Sequence, residues 1–325
     1  MPIPSGLSAQ LGISEETTYG TPNIPVTRFY EFTDESMDMS IERIESAGLR
    51  TGTRVQRSDR WVPGQKSVTG DIQMELANKS FGIWFKHALG AVATTQPDAS
   101  GNPTVYDHTF TPGDLPVGLT IQVGRTGVDQ TTRAFTYSGC RINEWEISGS
   151  VGELVTFKAS VIGCDEITNI TLATASYPTS LSLLSFVQGS LTLAGSAFDI
   201  KEFSLTGNNG LADDRYFFGS ALRKQPLEAS MREYTGELKA EFTDLTAYNR
   251  YINGTEAAMV LLFRGATISG TYFYDLQITA NVRFDGETPK VGGTEIIEQP
   301  LKFKCLGNTS ASALTVLYRT TDATP

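Results

Sequence analysis

The sequence predicts a mainly β chain with a few helices, an α+β protein built from two tandem units. Three observations carry this expectation. Runs that alternate apolar and polar residues recur along the chain, the period of a half-buried strand. Stretches rich in Gly, Thr and Ser separate them. A strand followed by an amphipathic helix at 68–90, VTGDIQMELANKSFGIWFKHALG, returns at 234–254, YTGELKAEFTDLTAYNRYING. Thr69, Gly70, Asp71 and Glu75 find counterparts in Thr235, Gly236, Glu237 and Glu241. Phe81, Trp84 and Phe85 find theirs in Tyr248, Tyr251 and Ile252.

A chain of 325 residues has the size of two ordinary domains. The repeat divides it into an arm (1–27), a first unit (28–166), a linker rich in Thr, Ser and Ala (167–182), a second unit (183–307) and a tail (308–325). With 40% hydrophobic and 19% charged residues it can build cores and is not a disordered chain. A net charge of −10 excludes a tight grip on phosphate backbones, although an acidic protein can enclose nucleic acid without holding it. Cys140, Cys164 and Cys305 are too few and too widely spaced for a disulfide framework or a zinc site, and imply assembly in a reducing cytoplasm. The first residues lack the basic and apolar regions of a signal peptide, and no apolar run approaches the ~18 residues of a membrane helix.

In the arm, Pro2, Pro4, Pro22 and Pro25 forbid a continuous helix or central strand. Residues 28–42 end in a strand, with Met37, Met39 and Ile41 on one face and Asp38 and Glu42 on the other. Residues 43–66 read as a long basic loop holding Arg50, Arg54, Arg57, Arg60 and Trp61. Arg and Trp are favoured at protein interfaces. The strand at 68–76 sends Ile72, Met74 and Leu76 inward and Asp71 and Glu75 outward. A helix over 79–89 follows, with Asn78 as N-cap and Gly90 after its end. Its stripe of Phe81, Trp84, Phe85 and Ala88 buries one face. Residues 91–116 read as a surface loop. Strands at 118–125 and 134–137 precede a hairpin over 143–163, with Glu144 and Glu146 on the polar face of one strand and Lys158 on that of the other.

The second unit repeats the order. It has a strand at 199–206 with Glu202 outward, a second long loop at 207–232 with Arg215, Arg223 and Lys224, and a strand at 233–242 carrying Glu237 and Glu241. A helix at 245–253 capped by Asp244 comes next, then strands at 259–264, 276–284 and 301–307. In the tail, a strand at 314–318 is followed by fraying residues.

No catalytic signature is present. His87 falls on the helix and His108 in a loop, without metal-ligand spacing, and no nucleophile elbow, phosphate-binding glycine loop or calcium loop occurs. No metal or cofactor is expected.

The order strand, long basic loop, strand, helix and closing hairpin (143–163, NEWEISGSVGELVTFKASVIG) resembles the tail tube (major tail) proteins of long-tailed bacteriophages. The opening GLSAQLGISEETTYGTPN at 6–23 is similar to that of siphovirus major tail proteins. The duplication departs from the many tube proteins that carry one such domain. The resemblance implies two tail-tube-type β-sandwich domains, each flanked by a helix, and a structural virion protein rather than an enzyme. It further implies self-assembly into stacked rings that form a hollow conduit for DNA ejection. The ring would be a pseudo-hexameric trimer. Partners would be other copies of the chain, a tape measure protein and passing DNA in the lumen, and other tail proteins at the tube ends. Assembly would take place in the host cytoplasm, with no membrane involved. The lumen-facing set would be Asp38, Glu42, Asp71, Glu75, Glu144, Glu146, Glu202, Glu237 and Glu241. The contacts between subunits or rings would come from Arg50, Arg54, Arg57, Arg60, Trp61, Arg215, Arg223 and Lys224. Another β-sandwich tail component (distal tail or terminator) and a glycan-binding adhesin fit the same pattern. An enzyme on a β-scaffold lacks the motifs it would need.

Overall fold

A computed structural model describes residues 6–286, 288–291, 293–294, 296–308 and 312–325. The chain is mainly β with two short helices. The first half contains β1 (Gln10–Glu15), β2 (Arg28–Tyr30), β3 (Asp34–Glu35), β4 (Asp38–Glu45), β5 (Trp61–Glu75) and α1 (Gly82–Leu89). It continues with β6 (Gly90–Thr95), β7 (Tyr106–Pro112), β8 (Leu119–Thr126), β9 (Thr132–Ser150), β10 (Thr156–Gly163) and β11 (Asp165–Ile167). The second half contains β12 (Gly189–Leu193), β13 (Ser196–Ala197), β14 (Glu202–Asn208), β15 (Glu233–Glu241) and α2 (Thr246–Asn253). It ends with β16 (Ala257–Ser269), β17 (Tyr272–Phe284), β18 (Glu298–Cys305) and β19 (Leu314–Thr320).

One run of antiparallel pairings occurs twice. In the first half β4 pairs with β5, β5 with β10 and β10 with β9. In the second, β14 pairs with β15, β15 with β18 and β18 with β17. The flanking strands repeat as well: β1 on β8 on β9 is matched by β12 on β16 on β17. A pairing of β9 with β14, from Glu144 opposite Asn208 to Ser150 opposite Glu202, fuses the two runs into one sheet. β9 reaches both layers of the first half because it is long. Its start pairs with β8 and β11 and its end with β10 and β14. The crossing lies near Gly139, whose φ of +62° suits glycine, and where a Cβ would run into Tyr19 and Cys164.

The core follows the alternation expected of each strand. Val155, Phe157, Ala159 and Val161 are buried on β10 and its approach, as are Leu276, Ile278, Ala280, Val282 and Phe284 on β17. The α1 stripe closes the first half. Trp84 lies 5.6 Å from Tyr30 and 6.1 Å from Phe157, and Phe85 lies 5.7 Å from both Phe110 and Tyr318. Edge-on and tilted rings at these separations add to the burial of their area. The three cysteines are free and buried.

Several sequence expectations are corrected. Residues 91–116 are not a surface loop, because β6 and β7 form a hairpin there and β7 also pairs with β19. His108 is therefore a fully buried strand residue, bonded through Nδ1 to Thr94 Oγ1 (2.8 Å) and through Nε2 to the Asp322 carbonyl (2.8 Å). Residues 314–320 lie inside the sheet between β17 and β7, and those after them do not fray: the Asp322 carboxylate accepts the Ser80 N–H at 2.6 Å. The arm likewise contributes β1 and its buried Leu11 and Ile13. The first helix starts at Gly82 without a side-chain cap. Asn78 is turned instead toward the linker, where its Oδ1 accepts the Ser182 N–H. The second helix is no equal of the first. Asp244 does accept the Thr246 N–H at its start, but Ala247 is its one buried residue and Ile252 is 58% exposed.

Candidate functional site

The strands of the joined sheet alternate, so one face of it collects their polar side chains. Asp71 lies opposite Ser160, Ser160 opposite Glu144, Glu144 opposite Asn208 and Asn208 opposite Glu233. A second row runs Gln73, Lys158, Glu146, Thr206, Thr235, Lys304 and Arg283. A third runs Glu75, Thr156, Ser148, Ser204, Glu237 and Lys302. Glu202 faces Lys239, and Glu241 faces Glu298. Asp38, opposite Thr69, extends the face to β4. Glu42 sits at the β4 irregularity, with its carboxylate against Gly64 and the Gln65 N–H. All nine carboxylates singled out in the sequence thus belong to the strands of one sheet.

The two halves of this face differ in charge. In the first, Lys158 pairs with Asp71 at 2.7 Å, while Asp38, Glu75 and Glu146 make no ion pair among the described residues. In the second, Lys239 bridges Glu202 (3.3 Å) and Glu298 (3.2 Å), Lys201 bridges Glu241 (3.0 Å) and Glu298 (3.2 Å), and Lys304 holds Glu233 (2.6 Å). Partial burial pushes the Asp71 carboxyl upward, but hydrogen bonds from Lys158 and Ser160 outweigh it and hold the group below its ordinary range. Lys239, then Lys201, does the same for Glu298. Glu233 and Glu298 went unselected in the sequence, although Glu233 alternates in phase with Glu237 and Glu241 on β15, and Glu298 with Lys302 and Lys304 on β18.

The two loops part company. The segment 43–66 is mostly hairpin: Arg43 faces Pro63, Ile44 faces Val62 and Glu45 faces Trp61, leaving 46–60 as its tip. Arg43 stacks over the Trp61 ring at 5.2 Å. Arg57 pairs with Asp59 at 2.6 Å, and Arg50, Arg54 and Arg60 lie along an exposed tip with Leu49 and Val55. The second loop, 209–232, does not reach outward as expected but folds over the first half of its own chain. Arg223 is 4% exposed and donates to the carbonyls of Asp213 (2.8 Å), Gly163 (3.0 Å) and Val68 (3.3 Å) and to Ser67 Oγ (3.0 Å). The Lys66 N–H donates to the Ala221 carbonyl, Tyr216 Oη to the Lys66 carbonyl, and Arg232 Nη1 to the Leu89 carbonyl. Arg215 bonds the Gln225 carbonyl within the loop. Of the second-loop cations chosen from the sequence, Lys224 is the exposed one. Backbone carbonyls of β5, of the ends of β10 and α1 and of the loop itself draw these guanidinium groups inward, because a buried carbonyl without a donor is costly.

The sheet thus has one carboxylate-rich face beside an exposed basic hairpin, and no group of His, Cys, Asp and Glu that could hold a metal ion occurs among the described residues. Residues 6–305 match the family model for the phage tail tube protein. The chain belongs to the phage tail tube protein family. No curated protein gives a match. As a tail tube family member the chain is a structural component of the phage tail and so of the virion, and the family implies self-assembly into a tube. Among the described residues no helix is long and apolar enough to cross a membrane.

Proposed function

We propose that the carboxylate-rich face lines the lumen of a tube of stacked rings and is the surface along which DNA leaves the particle. The observation that carries this is the placement of nine carboxylates on one continuous sheet, with Asp38, Glu75 and Glu146 outside any ion pair among the described residues. An anionic wall repels the phosphate backbone, so DNA slides past it without sticking. The chain acts as two tube units in tandem, and three chains supply the six positions of a pseudo-hexameric ring. The exposed basic hairpin over 43–63 makes the contact between rings, its cations meeting acidic surface on the next copy. A tape measure protein occupies the lumen before ejection, and other tail proteins close the ends.

Particles carrying Asp71→Lys with Glu75→Lys test the wall. The expected result is tubes of normal length and ring count by electron microscopy, with DNA release slowed severalfold and the slowing relieved by salt. DNA release at the unaltered rate from such particles refutes the assignment.

A further inference from the structure

Two cavities of the molecule occupy equivalent places. One, of about 190 Å³, lies beside residues 198–203 and is bounded by Phe186, Leu191 and Phe263. The other, of about 660 Å³, lies beside residues 30–35 and is bounded by Gly6, Ala9 and Arg125. Strand register fixes the correspondence. Glu202 faces Lys239 on β15 as Asp34 faces Gln73 on β5, and Leu191 faces Leu261 on β16 as Leu11 faces Val123 on β8. Residues 198–203 therefore stand where 30–35 stand, and the short 3-10 turn Phe186–Gln188 stands where Gly6–Ser8 stands. The Phe203–Phe263 ring pair (5.5 Å) takes the place of the ion pair between Arg125 and Glu35 (2.8 Å).

The smaller cavity is small because something enters it. The end of β9 and the turn that follows it supply Gly149, Ser150, Val151 and Val155 to its lining. Backbone bonds fasten that turn: Val151 N–H to the Lys201 carbonyl (2.9 Å), Phe186 N–H to the Glu153 carbonyl (3.2 Å) and Val155 N–H to the Leu184 carbonyl (2.9 Å). Among the described residues the larger cavity receives no such turn; apart from its own strands and the Gly6–Ser8 turn, it is lined by Tyr177 of the linker. In the second run the counterpart of the β9–β10 turn is the end of the β17–β18 pair. Beside the larger cavity, β4 is the counterpart of β14. It has β5 on one edge and, among the described residues, no strand on the other.

We propose that a second copy of this chain seats the end of its β17–β18 pair in the larger cavity and pairs it along the free edge of β4. This repeats between chains the junction that β9 and β14 form within one. The inference rests on the ring reading above and names the edge and the socket through which a ring closes. It also fixes a register. Within the chain Glu144 faces Asn208. Glu144 lies opposite Ser160, as Asp285 adjoins Lys302 through its N–H, and Asn208 faces Glu233 as Ser40 faces Ser67. Asp285 of one copy then faces Ser40 of the next. Both positions are exposed in the single chain.

Full-length Ser40→Cys and Asp285→Cys proteins, made separately and mixed before assembly and mild oxidation, test the register. A disulfide-linked dimer is expected from the mixture and from neither protein alone. The double variant is expected to give a covalent ladder that ends at the ring size. Ala9→Trp fills the socket and is expected to leave the circular dichroism spectrum unchanged while raising the concentration needed for assembly at least tenfold. If wild-type rings form while the cross-link is absent, or while Ala9→Trp assembles like wild type, the socket is wrong and the ring reading survives. If the wild-type chain forms no rings by electron microscopy, both fall.

Discussion

Arg223 shows how a side chain that reads as a surface cation becomes structural. Its guanidinium ends three backbone carbonyls and a serine hydroxyl contributed by β5, β10 and its own loop, and lies 5.5 Å from the Tyr216 ring. Arg223→Met keeps the apolar stem but strands those acceptors. It is expected to cost about 3 kcal/mol in denaturant unfolding, whereas Lys224→Met beside it should change little. The Glu15 carboxylate is a second such residue. A hydrogen bond from the buried His87 (3.0 Å) and the Lys86 ammonium (2.6 Å) bring its carboxyl down to about 2. Burial keeps His87 itself below its ordinary range, against the opposing pull of the Glu15 carboxylate. Both shifts have the same sign for stability. An unfolded chain binds a proton at His87 below its ordinary pKa of about 6.5, and one at Glu15 below about 4.5, before the folded chain does. The contribution of these two groups is thus complete above pH 7 and falls with pH from about 6.5 downward. His87→Gln should flatten the upper part of that slope in thermal melts recorded between pH 7 and 5.

At the scale of elements, the repeated strand-and-helix unit has two different energetic roles. Trp84 on α1 is fully buried among Tyr30, Phe157 and its own helix neighbours. Trp84→Ala should cost about 3–5 kcal/mol, the range for emptying a large aromatic site. Ile252→Ala at the matching end of α2 should fall within about 0.5 kcal/mol, since that side chain is more than half in water. Similar unfolding midpoints for the two variants would contradict this division. The strands were legible because alternation survives in β5, β10, β15 and β17, and the polar face followed from the same phase. The β6–β7 hairpin was hidden because His108 interrupts its apolar set, and that histidine is tolerated only through bonds to Thr94 and to a carbonyl 214 residues away. The clasp formed by 209–232 was hidden for a related reason. Its arginines satisfy backbone groups, and no sequence pattern marks which carbonyls a fold leaves unpaired. The difference between the helices was partly visible: Phe81, Trp84 and Phe85 became Tyr248, Tyr251 and Ile252, and two phenols need an outlet to water or a partner.

Across the whole molecule, the two runs are bound more closely than tandem repeats joined by a linker. β9 pairs with β14, β7 pairs with β19, and the second loop is bonded to β5, β10 and the end of α1. Such shared sheet and shared polar contacts leave neither half a complete set of its own, so unfolding is expected to be a single cooperative event. All three tryptophans, Trp61, Trp84 and Trp145, lie in the first half, with Trp145 at the seam 6.0 Å from Tyr234, so their fluorescence reports on that half and the seam while far-ultraviolet circular dichroism reports on both halves. Coincident midpoints from the two signals are expected, and an earlier loss of circular dichroism would show the second half opening alone.

The internal β9–β14 seam also governs counting. Because each polypeptide brings two joined units, any closed circle of whole polypeptides holds an even number of them. A miscounted circle therefore errs by two units at once, and a one-unit slip, the smallest mistake open to a single-unit protein, is removed by a covalent bond.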